Sequence, residues 1–233
     1  MSSSIAEQYQ NDGYIIAKGL YSALEMEDWK TRIVKRLEEK GWANDPSGVS
    51  VWMVDDLDAF FTEKMTEPKI INILKEVIGP NIEFLSVKPV FKNSSTRFGS
   101  PWHQDWAYWK GSHKVSVWIA LDKATMTNGC LKIIPGSHGR VIEADSVKEK
   151  IGFDHRIDES KLENFESKAL EVDPGDVVIF HDLTLHASFE NTDGADRWSF
   201  ISTYRDGSVV DDSPIWKNSL VASGVSVNVA KAS

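Results

Sequence analysis

The apolar residues of this chain fall into two kinds of pattern. Leu24, Trp29, Ile33, Val34 and Leu37 recur at helical spacing between Ser22, whose hydroxyl can cap a helix, and Gly41, where one can stop. This predicts a helix from Ser22 to Lys40. A second is expected from about Glu67 to Val77, ending before Gly79-Pro80. Val51–Val54 predicts a short strand between them. Beyond Pro80 the texture changes to short β-branched or aromatic runs bounded by Gly, Pro, Asn and Asp. Glu83–Phe91, His113–Leu121, Leu131–Ile134, Ala169–Val172, Asp176–Phe180, Leu185–Phe189 and Trp198–Tyr204 read as strands.

Many short strands with turn signals suggest a sandwich or barrel-like jelly roll. Two helices ahead of a β-rich block suggest a helical layer packed on one sheet. The expected class is therefore mainly β with flanking helices (α+β). One segment breaks the strand series. Arg140–Lys168 is rich in Glu, Asp and Lys and reads either as a lid over the barrel mouth or as a solvated excursion. The chain divides into N-terminal helical support (1–80), a jelly-roll core (81–205) with the candidate lid at 140–168, and a C-terminal extension (206–233), all read as one domain.

Composition narrows the function classes. With 233 residues, 41% of them hydrophobic and 26% charged, the chain can bury a core without covalent staples. Its single cysteine, Cys130, excludes an internal disulfide, fits a reducing compartment and is expected to be free and buried. Neither a secretory signal nor an apolar span of bilayer length is evident, and Lys231-Ala232-Ser233 is no clear peroxisomal address. The expectation is a cytoplasmic protein with no membrane partner. A net charge of −9 argues against a nucleic-acid partner. That charge does not exclude a local basic pocket for a small anion, and the oligomeric state stays open.

The candidate chemistry starts at Pro101–Trp109, where His103 and Asp105 stand two apart among tryptophans. On a strand they share a face and Gln104 points away. Two histidines and one carboxylate make the commonest non-haem iron site. Among the other histidines, His186 on the strand at Leu185–Phe189 is the best third ligand, and Ser188 shares its face. His181 reads as a strand-end residue, His113 and His155 as solvated, and His138 as part of a turn. Asp193-Gly194 marks a hairpin that returns the chain at Arg197, close to His186. A buried Arg near a metal site can clamp an anionic cosubstrate; a surface pair with Glu190, Asp193 or Asp196 is the alternative.

The ordered set Trp102–Asp105 (WHQD), 118–122 (WIALD), 128–138 (NGCLKIIPGSH), 174–188 (PGDVVIFHDLTLHAS) and Arg197, with 12–22 (DGYIIAKGLYS) at the start, resembles the phytanoyl-CoA dioxygenase family. These are iron(II)- and 2-oxoglutarate-dependent oxygenases. The resemblance implies a double-stranded β-helix of the cupin-like, jelly-roll kind buttressed by helices. It implies that His103, Asp105 and His186 bind iron and are the catalytic centre, and that Arg197 pairs with the far carboxylate of 2-oxoglutarate. It also points to Ser188, Trp118 and Ser116 at the cosubstrate, and to Trp109 and, less directly, Trp106 at the substrate. Trp109 can equally be a packing residue. O2 is the co-reactant implied, with ascorbate as a reductant.

The implied reaction is hydroxylation of an unactivated C–H bond in a small metabolite or natural-product intermediate, with release of succinate and CO2. A carboxylate at 105 fills the place that chloride takes in related halogenases; desaturation, epimerisation and ring closure use the same triad. The chain is short for the family and shows no coenzyme-A cradle, so substrate-gripping loops are expected to be trimmed and an acyl-CoA substrate is not carried over. Trp106, Trp109 and the net acidity suggest a cationic substrate. Two other readings stand beside the oxygenase: a non-catalytic jelly-roll binding module, and a metal-dependent hydrolase or isomerase. The hydrolase has no need of Arg197 as a carboxylate clamp, and the binding module has no need of all three ligands intact.

Overall fold

The computed structural model of the chain describes residues 4–41, 47–146 and 153–228. Five helices are present among them: α1 (Ile5–Asp12), α2 (Ala23–Glu39), α3 (Ala59–Thr66), α4 (Pro68–Ile78) and the single turn α5 (Trp106–Trp109). Both α1 and α2 begin with a capping box. Ser4 and Ser22 each accept from the amide three residues on, while Glu7 and Glu25 reach back to the cap amide. Pro68 opens α4, where its missing N–H costs nothing, and Gly79 ends it at φ 94°.

Twelve strands follow in the order β1 (Tyr14–Ala17), β2 (Trp52–Met53), β3 (Ile82–Lys92), β4 (Lys114–Ala120), β5 (Leu131–Ile133), β6 (Asp145–Ser146), β7 (His155–Arg156), β8 (Lys168–Leu170), β9 (Val177–His181), β10 (His186–Ser188), β11 (Arg197–Asp206) and β12 (Leu220–Ser223). The main sheet runs β1-β9-β4-β11-β3-β12, with β2 also on β3; a smaller sheet runs β10-β5-β8. All the pairings are antiparallel.

Alternation along β4 shows how the two faces are used. Val115, Val117 and Ile119 face a core built with Trp29, Ile33, Ile70 and Leu74 of the helices. Ser116, Trp118 and Ala120 face the other way, and Trp118 and Ala120 pack with Leu131 and Ile133 of the small sheet. One face of the main sheet is thus dry core beneath α2 and α4. The other forms the inside of a jelly roll, as the strand and turn pattern implied.

The two long helices and the seven strand segments lie where the periodicity put them, with ends shifted by a few residues. The sequence reading omitted α1, α3 and β1, each too short for a clear period. It also omitted β12, which pairs with β3 from within the 206–233 segment. Asp211 of that segment is buried against Lys114 Nζ at 2.9 Å and against Arg205, so it is tied into the sheet. Cys130 is free and buried, and burial pushes its thiol up to about 11. No helix among the described residues is long and apolar enough to cross a membrane.

Candidate functional site

His103 and His186 are brought together by the backbone. Each donates its amide to the other's carbonyl at 3.1 Å, an isolated antiparallel bridge, and the rings stand 4.1 Å apart. His103 Nδ1 donates to Pro101 O at 2.7 Å and His186 Nδ1 to Thr184 O at 2.9 Å. That fixes both tautomers and leaves each Nε2 with a free lone pair. Both Nε2 atoms face Asp105 Oδ1, at 3.7 and 3.8 Å. Asp105 Oδ2 accepts from Ser116 Oγ at 2.8 Å, which orients the carboxylate.

The expected strand over His103–Asp105 is absent. His103 has a pairing partner, but the chain leaves extended geometry after it. Asp105 has helical backbone angles, and its carbonyl accepts from Tyr108 N at 3.0 Å as α5 begins. His103 and Asp105 converge because a bridge ends and a helical turn starts, not through strand alternation. Gln104 does point away: its amide donates to Arg140 O and Leu183 O and accepts from Ile142 N.

Electrostatics favour the ligating forms. Burial and the neighbouring His186 push His103 down to about 3, so it is neutral. Burial opposes ionisation of Asp105, yet Lys88, the two histidines and the Ser116 bond outweigh it and hold the carboxyl below its ordinary range. Two imidazoles and one carboxylate, all buried and within reach of one another, fit a divalent transition metal, with their other polar atoms already engaged by the protein.

At the other end of the same cavity, of about 420 Å³, lies Arg197. It is 2% exposed and has no carboxylate partner among the described residues. Nη1 donates to Ser199 Oγ and Nη2 to Gly129 O, both at 2.9 Å, while Nε is buried without an acceptor. Burial pushes it down to about 10, which still leaves it charged at neutral pH. Its cross-strand neighbour on β3 is Lys92, a residue the sequence reading missed. Lys92 Nζ donates to Ser188 Oγ at 2.7 Å and to Phe189 O at 2.6 Å; burial and Arg197 push it down to about 6. Only part of the signal was available: Ser86, Lys88 and Val90 alternate along the predicted strand Glu83–Phe91 and Lys92 continues the series one residue beyond it, but nothing in the sequence pairs it with Arg197; all four line the cavity. An unpaired buried guanidinium beside a lysine and Ser188 fits the far carboxylate of a 2-oxo diacid. Trp118 lies 5.7 Å under the Arg197 guanidinium.

Other sequence-derived positions fall differently. Ser116 is not on the cavity wall; it holds Asp105. Trp106 is not on it either, and its Nε1 donates to Gly111 O at 3.3 Å. Trp109 does line the cavity, with its Nε1 fixed on Asp182 Oδ2 at 3.0 Å. Its ring faces Lys88 Nζ at 5.6 Å, so the protein's own cation stands where a cationic substrate was expected. The polar insertion lies against the site: Phe153 packs on His103 at 5.2 Å, and Ile157 N donates to Trp102 O. Residues 147–152 of the expected lid lie outside the described residues. His113 is exposed, as expected, and is also bound through Nδ1 to Asp182 Oδ1 at 2.9 Å. With His181 these form a second His/His/Asp group behind Trp109.

Residues 9–199 match the family model for phytanoyl-CoA dioxygenase (PhyH). The chain is 38% identical over 99 residues to phytanoyl-CoA dioxygenase 1 of Oryza sativa subsp. japonica, covering 41% of this chain and 34% of that protein. It is 35% identical over 132 residues to a probable alpha-ketoglutarate-dependent hypophosphite dioxygenase of Stutzerimonas stutzeri, covering 53% and 45%. The matched stretch is thus less than half the length of either relative. The crystal structure of SnoK, a non-heme alpha ketoglutarate dependent carbocyclase from nogalamycin biosynthesis, shares the fold with a TM-score of 0.76 at 21% identity, over 94% of this chain and 89% of that one. With the family model matched over most of its length, the chain belongs to the phytanoyl-CoA dioxygenase family.

Proposed function

We propose that this protein is a non-haem iron(II)- and 2-oxoglutarate-dependent dioxygenase acting on a small molecule, with His103, Asp105 and His186 as the metal ligands. The observation that carries the reading is the combination of that donor triad with a buried Arg197 that has no carboxylate partner among the described residues, in one cavity. A hydrolase or a passive binding module has no use for the second half of it.

When bound, iron(II) and 2-oxoglutarate supply the O2-dependent oxidation: the cosubstrate leaves as succinate and CO2, and a C–H bond of the substrate is oxidised. The protein supplies geometry and dryness. Pro101 O and Thr184 O keep both Nε2 lone pairs aimed inward. Ser116 holds the Asp105 carboxylate so that Oδ1 is left for the metal. Arg197 and Lys92, the latter braced by Ser188, receive the far carboxylate of the cosubstrate. Trp118 and Phe180 wall the cavity on the small-sheet side, and Phe153 closes it above His103, keeping bulk water from the reacting groups. Hydroxylation is the outcome we favour, since Asp105 leaves no vacancy for a halide; the carbocyclase with this fold shows that ring closure is available to the same architecture. Ascorbate would serve to keep the iron reduced.

Anaerobic addition of iron(II) and 2-oxoglutarate tests the assignment. The expected result is the weak visible charge-transfer band of the chelate in the wild type and its absence in Asp105→Ala. A wild-type protein that shows neither the band nor succinate release overturns it.

A further inference from the structure

The inner face of β3 carries two lysines, and only one serves the cosubstrate end. Lys92 is engaged with Ser188 and Phe189 beside Arg197. Lys88 lies four residues earlier, about 13 Å along the strand, beside Trp109 rather than Arg197. It is half-buried in the cavity wall, facing Trp109, and acts electrostatically on Asp105. It has no ion pair and no hydrogen-bond acceptor among the described residues.

Charge bookkeeping makes Lys88 conspicuous, on the proposed reading of the site. The two positive charges of iron(II), the Asp105 carboxylate, the two carboxylates of 2-oxoglutarate and the Arg197 guanidinium sum to neutrality before either cavity lysine is counted. Lys88 is then left without a counter-charge in a partly desolvated cavity, where a lone ammonium is costly. Its neighbours are donors too. Ser86, next on the same strand face, is fully buried and its Oγ has no partner. Trp216 lines the same cavity, packs on Trp109 at 5.9 Å, and has a buried Nε1–H with no acceptor. An indole N–H can only donate. This end of the cavity therefore presents an ammonium against aromatic walls, with the Ser86 hydroxyl and the Trp216 N–H packed behind the surface, and its described lining holds no carboxylate other than Asp105.

We propose that this is the primary-substrate subsite and that it selects a substrate carrying an oxyanion, a carboxylate or a phosphinate, whose negative group pairs with Lys88. The pairing would hold the substrate by its charged end against the Trp109–Trp216 wall and leave its apolar part toward the metal. The proposal rests on the dioxygenase reading, and it reverses the charge expected from the net acidity of the chain.

The test titrates the anaerobic iron(II)·2-oxoglutarate enzyme with benzoate, L-proline and hypophosphite, and with benzamide as the neutral counterpart of benzoate. Tryptophan fluorescence reports binding. Saturating 2-oxoglutarate blocks the Arg197 end. At least one of the three acids should bind with a Kd of about 10 mM or tighter. Lys88→Met should weaken it by about tenfold or more, while Lys88→Arg keeps it within about threefold. Lys88→Gln serves if the Met variant fails to fold. Response to benzoate or proline alone identifies a carboxylate substrate; response to hypophosphite alone identifies a phosphinate. The proposal is overturned if benzamide binds as tightly as benzoate, if Lys88→Met leaves the acids unaffected, or if none of the three binds. The charge-transfer band, recorded on the same samples, judges the cofactor reading separately. If the wild type lacks it, the same titration of the metal-free protein still decides the role of Lys88.

Discussion

Two clusters in this molecule have the same composition, two histidines and an aspartate, and opposite character. In the front cluster His103 and His186 give their Nδ1 hydrogens to backbone carbonyls, so both Nε2 lone pairs stay free beside Asp105 Oδ1. In the rear cluster the capacity is already taken. Asp182 Oδ2 accepts from Trp109 Nε1 and from Lys114 N, Oδ1 accepts from His113 Nδ1, and His181 Nδ1 accepts from Leu183 N. The front group is buried on all three members, while His113 is exposed. Residue types thus do not distinguish a ligand set from a structural hub; the atoms left without a protein partner do.

Substitution of each aspartate gives the sharpest break. Asp105→Ala should lower turnover by at least about a thousandfold and abolish tight iron binding, with thermal unfolding little changed. Asp182→Ala should do the reverse. It strands the buried Trp109 and Lys114 N–H donors, costing about 3 kcal/mol of stability in denaturant unfolding, while iron still binds. If Asp182→Ala loses iron as Asp105→Ala does, the two clusters are not functionally separate.

A smaller effect is expected at Ser116, which touches only the front carboxylate. Ser116→Ala should weaken iron binding by about tenfold, because an unoriented Asp105 must be ordered by the metal itself. Equilibrium competition with a chelator measures it, and an unchanged constant would remove Ser116 from the site.

The mildest contrast is with pH in the rear cluster. Burial, against the pull of Asp182, pushes His181 down to about 4. The unfolded chain therefore takes up that proton first. The stability at stake is complete above the ordinary histidine range and is lost as pH falls from about 6.5 toward 4, on the order of 3 kcal/mol. His113 has the opposite sign: its hydrogen bond to Asp182 raises it, so its contribution is present at low pH and lost as pH rises through the raised value. His181→Asn should flatten the acid limb of a stability–pH curve recorded on the metal-free protein. An unchanged limb would place the acid sensitivity elsewhere.

What could be read beforehand follows the range of the interactions involved. The helix at Ala23–Glu39 was legible because its cap, period and stop are all local. His186 and Arg197 could be singled out because each lies on a strand, but the hairpin expected at Asp193-Gly194 does not form: β10 pairs with β5 in the small sheet and β11 with β3 and β4 in the main one. The local shape around Asp105 was not legible. Aromatic residues suggest a strand, but only His103 finds a partner, and that partner lies far along the chain. Lys92 was missed because nothing nearby in sequence reveals that Arg197 lies across from it. Ser116 was put on the correct face and given the wrong neighbour, since α5 brings the Asp105 carboxylate down upon it.

The reciprocal amide bridge between His103 and His186 bears on how the molecule is made. Neither imidazole can take its place until a very long loop has closed and β10 has docked on β5, so the reactive centre is completed late in folding. On the proposed reading, nascent or partly denatured chains would then lack the assembled donor set for iron.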